Sequence, residues 1–195
     1  MATQRPDTGR TNALAGKELV TTVTQVSRAP AEVVWDVLAD LEGHGTWGSS
    51  RGKEGGLSSI EAPGGSAVVG TEFTSTGEDR MCRMTDRSVV TEADRPSVLE
   101  FVTESAMALK RGGKRSDWTV IHRYEIASAS GGCSVTYTSR VVHASALPGA
   151  LAMFKLPILR SIAMKETGRQ AERGLTKLVR SAEEHAGARR KDGST

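Results

Sequence analysis

Long hydrophobic runs are missing from this sequence. No apolar stretch approaches the roughly 20 residues that a helix needs to cross a bilayer. Residues 1–17 are polar and contain no hydrophobic segment of the kind found in secretory signals. Hydrophobic residues still make up 37% of the 195-residue chain, enough for one folded domain with a substantial core. We therefore predict a single cytoplasmic domain.

Cysteine is scarce as well, and the common metal-binding and nucleotide-binding motifs are absent. Cys82 and Cys133 are the only two cysteines, and neither lies in a CxxC or Cys/His spacing. This excludes the usual zinc sites and a disulfide scaffold, so we expect two buried thiols. No HExxH or Walker sequence is present. The sequence therefore predicts neither a metal site nor a bound cofactor.

The charge is slightly positive and concentrated in two places. The formal net charge is +3, with Lys110, Arg111, Lys114 and Arg115 grouped around a Gly-Gly pair and a second group at 189–191. One interpretation is an anionic partner, such as nucleic acid or an acidic carrier protein. The interpretation we favour is a solvated hairpin tip and a solvated chain end. Aromatic residues are not interleaved with these charges, which argues against nucleic acid.

Periodicity predicts one strand, one short helix, a series of strands and a long helix. The Val/Thr-rich segment 18–28 has strand composition, and apolar residues recur at helical spacing in 31–41. A glycine-rich loop containing Trp47 is expected at 42–56. Strands are predicted at 57–61, 68–76, 81–92, 98–105, 117–127 and 133–143, separated by turn sequences, which indicates an antiparallel meander. A helix should begin at Pro157, so we divide the chain into a disordered arm (1–17), a domain (18–185) and a basic disordered tail (186–195).

Several short phrases resemble the SRPBCC superfamily, which includes START lipid carriers, pollen-allergen-like proteins and polyketide cyclases. Residues 29–40, APAEVVWDVLAD, look like the first helix of that group, and Trp47 stands where its members usually carry an aromatic residue. Residues 69–73 and 90–101 resemble its third strand and the hairpin that follows. The resemblance covers about residues 18–185. It implies an α+β helix-grip fold, in which a curved antiparallel sheet is wrapped around a long C-terminal helix and encloses a cavity.

Strand alternation then selects the side chains that face this cavity. In 117–127 the apolar and aromatic set is Trp118, Val120, His122, Tyr124 and Ile126. Apart from Ile121, the other face carries the polar and charged residues Asp117, Thr119, Arg123 and Glu125. The segment 81–92 has no clean alternation, which suggests a β-bulge. The predicted ligand-binding residues are Trp47, Phe73, Phe101, Thr103, Trp118, Val120, His122, Tyr124, Tyr137, Ser139, Phe154, Ile158 and Ile162.

Three functions are compatible with such a cavity. The leading hypothesis is binding of a small hydrophobic molecule: a lipid, a polyketide or an aromatic metabolite. The alternative is a polyketide cyclase, aromatase or dehydratase in which His122 acts as acid/base beside Tyr124 and Tyr137. In that case the basic hairpin 110–115 could dock an acidic carrier protein. A buried histidine held by a hydroxyl is the simpler explanation of His122. A third possibility, a co-chaperone-like interaction module, requires a filled interior and an apolar outer sheet face.

Overall fold

The computed structural model describes residues 12–14, 18–47, 56–78, 82–146 and 157–192. The chain forms seven strands and three helices in these residues. The elements are β1 (Leu19–Ser27), α1 (Ala31–Ala39), α2 (His44–Trp47), β2 (Gly56–Glu61), β3 (Glu72–Glu78), β4 (Cys82–Asp94), β5 (Val98–Leu109), β6 (Arg115–Ala129), β7 (Gly132–Ala144) and α3 (Pro157–Asp192).

The strands form one curved antiparallel sheet in the order β1-β7-β6-β5-β4-β3-β2. The meander β2 to β7 follows chain order, and β1 joins it beside β7 through the regular register Leu19↔Val141 to Ser27↔Cys133. The helix α3 packs against β1 and α1. This is the predicted α+β helix-grip fold.

The main core joins the two helices to the inner face of the sheet. Trp35 and Leu38 of α1 and Leu178 of α3 are almost completely buried there, together with Leu99 of β5 and Val135 of β7. Burying a leucine or valine side chain contributes about 1.5–3 kcal/mol. The C-terminal half of α3 is therefore fixed to the domain by apolar packing.

The outer face of the sheet carries polar and charged side chains, as the alternation predicts. Arg123 donates to Glu92 at 2.5 Å and to Glu100 at 3.2 Å. Hydroxyl pairs such as Thr22 with Thr138, at 3.2 Å, connect β1 to β7 on the same side. The four basic residues of the predicted hairpin tip are exposed between β5 and β6, where Gly112 and Gly113 adopt φ values of 81° and 60°.

Several boundaries differ from the sequence prediction. The predicted loop 42–56 contains the short helix α2, and the predicted strand 68–76 begins only at Glu72, which leaves Val68 and Val69 exposed before it. The predicted bulge in 81–92 is confirmed, since the pairing of β4 with β5 shifts between Val90 and Glu92.

Described residues on either side of the predicted domain limits make contacts with the domain. Within the segment expected to be an arm, the Ala13 amide donates to the Ala144 carbonyl and Leu14 is buried. The helix α3 continues past residue 185 to Asp192, and Arg189 pairs with Asp36 of α1 at 3.0 Å.

The two cysteines are buried thiols, as expected. Cys82 lies at the start of β4, and Cys133, at the start of β7, is completely inaccessible. The Cys133 thiol points to the Ala29 carbonyl at 3.5 Å. Burial raises the pKa of this thiol, which keeps it protonated at neutral pH.

Candidate functional site

An array of aromatic side chains crosses the inner face of the sheet from β3 to β7. The rings of Phe73 and Phe101 meet edge to face with centroids 5.3 Å apart, and Phe101 stacks on His122 at 4.9 Å. Tyr124 and Tyr137 lie side by side at 4.7 Å. Strand register produces this order, because Phe101 pairs with His122 and Tyr124 pairs with Tyr137. Such ring pairs stabilise the wall by about 0.5–1.5 kcal/mol each beyond area burial.

A hydrogen bond connects His122 to the tyrosine pair. The distance between His122 Nδ1 and the Tyr137 hydroxyl is 2.7 Å. Ser139, directly across from His122 on β7, hydrogen-bonds to Tyr137 as well. These three side chains form a polar group within an otherwise aromatic wall.

Burial fixes the protonation states of this group. Removal from water lowers the pKa of His122 to about 4, so the imidazole is neutral at pH 7. Burial raises the pKa of Tyr137 to about 12, with Ser139 opposing the rise, and holds the pKa of Tyr124 well above its usual value. A neutral imidazole beside two protonated phenols can accept a proton and can donate hydrogen bonds to a bound oxygen.

A cavity of about 300 Å³ lies between this wall and α3. Tyr124, Tyr137 and Ser139 form its sheet side. Its helix side is formed by Thr167, Gln170, Ala171, Gly174 and Leu175, none of which was among the predicted ligand-binding residues. The signal that could have found them is Gly174, because a helix-weakening glycine on the inward face of α3 leaves open space opposite the sheet.

The predicted helix side of the pocket cannot be placed. Phe154 lies outside the described residues, and Ile158 and Ile162 lie in α3 at positions whose side chains are not described.

Thr103, Trp118 and Val120 lie on the inner face but away from the cavity between β6–β7 and α3. Thr103 is buried and hydrogen-bonds to Ser88 at 2.9 Å. Trp118 belongs to a second apolar cluster, against which Val120 packs. The Trp118 indole donates to the Ser116 hydroxyl at 2.8 Å.

Trp47 lies in the main core, at the end of α2. It packs on His44 with ring centroids 4.4 Å apart. His44, which the glycine-rich context predicts to be solvated, is instead 6% exposed, and its Nε2–H donates to the Leu38 carbonyl at 2.6 Å. The prediction was wrong because α2 folds back onto the end of α1, so this loop packs inward. Burial lowers the pKa of His44 to about 4.

Another inner-face residue was not anticipated from the sequence. Asp86 of β4 lies between Ser75 of β3 and Ser105 of β5 in the strand register. A single strand pattern over 81–92 misses this facing, because the bulge at Thr91 interrupts the alternation. Among the described residues, no group of three or more His, Cys, Asp or Glu side chains could hold a metal ion.

The family of the chain follows from its sequence. Residues 18–183 match the family described as "Polyketide cyclase / dehydrase and lipid transport". The chain belongs to this family, and so to the SRPBCC superfamily that the short phrases suggested. No curated protein matches the chain.

Solved structures share the fold at low sequence identity. An uncharacterized protein from Rhizobium leguminosarum is 14% identical with a TM-score of 0.58, over 86% of this chain and 96% of that one. Protein CV1439 from Chromobacterium violaceum is 12% identical with a TM-score of 0.55, over 85% and 97%. The KanY protein is 15% identical with a TM-score of 0.56, over 86% and 99%. Among the helices that the structure describes, none has the length and apolar composition required to cross a membrane.

Proposed function

We propose that this protein binds a small, largely apolar molecule in the cavity between β6, β7 and α3. The observation that carries the proposal is the cavity of about 300 Å³, with aromatic rings on one side and the small residues Ala171 and Gly174 on the other. Ligand sites in proteins combine apolar lining with a few placed polar groups, and their volumes begin at about 300 Å³. The hydroxyls of Tyr137 and Ser139 provide the polar groups here. The family description, which includes lipid transport, supports the same function.

The proposal is tested by a substitution in α3 that fills the cavity. Gly174→Leu places a side chain into the cavity, whereas Gly187→Leu makes the same change at an exposed position of α3. Each replacement removes a helix glycine, which should stabilise α3 by about 0.5–1 kcal/mol. We expect the neutral dye N-phenyl-naphthylamine to bind the wild type and Gly187→Leu with enhanced fluorescence, and to bind Gly174→Leu at least about tenfold more weakly.

Two results would contradict this proposal. A wild-type protein that fails to enhance the dye's fluorescence at any accessible concentration has no open apolar site. Equal affinity in the two leucine variants would place the dye elsewhere.

The hydrogen bond between His122 and Tyr137 favours one second candidate, an enzyme that removes a proton next to a carbonyl group. With Nδ1–H donating to the Tyr137 oxygen, Nε2 of the neutral imidazole can accept the proton. A tyrosine hydroxyl can then donate to the developing enolate oxygen, since both phenols are protonated at neutral pH. In this assignment His122 is a base in the resting protein and not an acid. A base with a pKa of about 4 has less driving force for removing a proton from a substrate than free imidazole has. Ligand binding therefore remains the first proposal.

An interaction module of the co-chaperone type has less support. It requires a filled interior, whereas a cavity lies behind α3. It also requires an apolar outer face, and ion pairs such as Arg123 with Glu92 occupy that face.

A further inference from the structure

The turn between β5 and β6 carries a group of cations, most of which have no carboxylate partner. We call residues 110–115 the basic tip. Four of its side chains are positively charged and exposed: Lys110, Arg111, Lys114 and Arg115. Lys110 pairs with Glu78 of β3 at 3.3 Å. Within the part of the chain that the structure describes, the other three form no ion pair.

Elsewhere in the sheet, positive side chains are neutralised by neighbouring carboxylates. Apart from Arg115, the strands contain four arginines, and each of them forms an ion pair: Arg83, Arg87, Arg123 and Arg140. Arg123 alone contacts three carboxylates, those of Glu92, Glu100 and Glu125. Composition alone favours a solvated tip, but this pairing leaves the basic tip as the place where the sheet concentrates uncompensated positive charge.

The basic tip is narrow and contains no apolar side chain. The Leu109 amide donates to the Lys114 carbonyl at 2.9 Å and closes the turn, and the apex consists of Gly112 and Gly113. A stable protein interface needs about 800 Å² on each partner and an apolar core, which a turn made of lysine, arginine and glycine does not offer. A bilayer of anionic lipids needs neither, because basic residues bind its surface through charge.

The basic tip lies toward the same end of the domain as one side of the cavity. Met107, which comes just before the tip, and Met164 of α3 both pack on the apolar cluster that contains Trp118. Thr167, which lines the cavity, lies about one helical turn after Met164. A surface that touches the basic tip is therefore close to the Thr167 side of the cavity.

We propose that the basic tip docks this protein on anionic lipid membranes, where lipid phosphate groups pair with Arg111, Lys114 and Arg115. Docking of this kind is weak and reversible, because it depends on a few charges and inserts no apolar side chain into the bilayer. The inference goes beyond the proposed binding function and does not depend on it. Docking turns the Thr167 side of the cavity toward the bilayer.

Flotation of the full chain with extruded vesicles tests the proposal. One set of vesicles contains phosphatidylcholine and phosphatidylglycerol in equal parts, and the other contains phosphatidylcholine alone. We expect the wild type to bind only the anionic vesicles in a buffer of low ionic strength. Added NaCl should release it, because the Debye length falls from about 10 Å at 0.1 M salt to about 3 Å at 1 M.

Two double variants with the same net charge locate the contact. Arg111→Gln with Lys114→Gln removes two cations from the basic tip and leaves Lys110 paired with Glu78. Arg28→Gln with Arg180→Gln removes two exposed cations near the other end of the sheet, where β1 ends beside the start of β7. Each cation lost from a membrane contact weakens binding about fivefold, so the tip variant should partition onto anionic vesicles at least about tenfold more weakly than the wild type. The control variant should bind like the wild type.

Three results would overturn the docking role: a wild type that binds neither vesicle, equal binding to the two vesicles, or equal binding of the two double variants to the anionic vesicles. A wild type that binds immobilised polyglutamate and no vesicle would also overturn it, and would indicate an acidic protein as the partner. The tip variant should bind N-phenyl-naphthylamine like the wild type, because Arg111 and Lys114 do not line the cavity. Loss of vesicle binding and failure of the proposed function are therefore measured separately.

Discussion

At the scale of single residues, the position of His122 decides what the site can do. Its ring lies between Phe101 on β5 and Tyr137 on β7, so apolar and aromatic groups replace the water that would stabilise an imidazolium ion. The pKa of about 4 that results keeps the ring neutral over the whole physiological range. A neutral ring can serve as a hydrogen-bond partner for a ligand or as a weak base.

Proton exchange distinguishes these two roles without knowledge of the substrate. If His122 is a base, the protein should accelerate deuterium incorporation at the acidic carbon of an acetoacetyl thioester in heavy water, measured by NMR. His122→Phe should abolish the acceleration, and His185→Phe, at an exposed position of α3, should not. Because only the neutral ring accepts a proton, the rate should hold as the pH falls from 7 and decrease near pH 4. Exchange that is unaffected by His122→Phe would leave this residue with a binding role.

At the scale of elements, two successive segments of α3 have different roles. Thr167 to Leu175 form a wall of the cavity, and the following turns hold the helix to the domain. Leu178 is completely buried against the core, whereas Val26 on the outer face of β1 is 74% exposed. The stability of the cavity wall therefore depends on contacts made beyond it.

Truncation of the anchoring leucine should show this dependence. Leu178→Ala should lower the free energy of unfolding by about 2–5 kcal/mol, since it leaves a cavity in the core. Val26→Ala, which removes an exposed side chain, should change it by less than about 0.5 kcal/mol. Urea unfolding followed by circular dichroism measures both. A loss below about 1 kcal/mol for Leu178→Ala would mean that α3 is not packed as described.

The elements also show where the sequence was informative. Residues 117–127 alternate cleanly, and this alternation predicted which face of β6 is buried. In β4 residues 82–90 alternate between less exposed and more exposed positions, and the bulge at Thr91 ends this pattern. Because the whole segment 81–92 was taken as one strand pattern, the facing of Asp86 was missed. The apolar stripe of α3 predicted a buried helix face. The stripe could not indicate which turns of α3 contact the sheet and which leave a cavity, because that depends on the position and tilt of the whole helix relative to the sheet.

At the scale of the whole molecule, buried neutral histidines should make the fold sensitive to mild acid. His44 has a pKa of about 4 in the folded state, against an ordinary value near 6.5 once it is exposed by unfolding. Between these two values the unfolded chain binds a proton that the folded chain does not, so stability falls as the pH decreases. For His44 alone the loss amounts to roughly 3 kcal/mol across this window. His122 acts in the same direction.

Thermal unfolding at several pH values checks this expectation. The melting temperature of the wild type should fall between about pH 6.5 and pH 4, and His44→Gln should reduce the fall. His185→Gln should follow the wild type, because that side chain is exposed. A melting temperature that stays constant down to pH 4.5 would contradict the burial of His44 as a neutral group.

The burial of both cysteines has a practical consequence for measuring how the helix and the sheet move. Thiol-directed labels react with accessible thiolate, and the completely enclosed Cys133 and the buried Cys82 offer very little of it. A new cysteine on the exposed outer side of α3 and another at the β5–β6 turn should therefore take up spectroscopic labels in an otherwise silent background. The distance distribution between such a pair would report directly whether the helix separates from the sheet when a molecule enters.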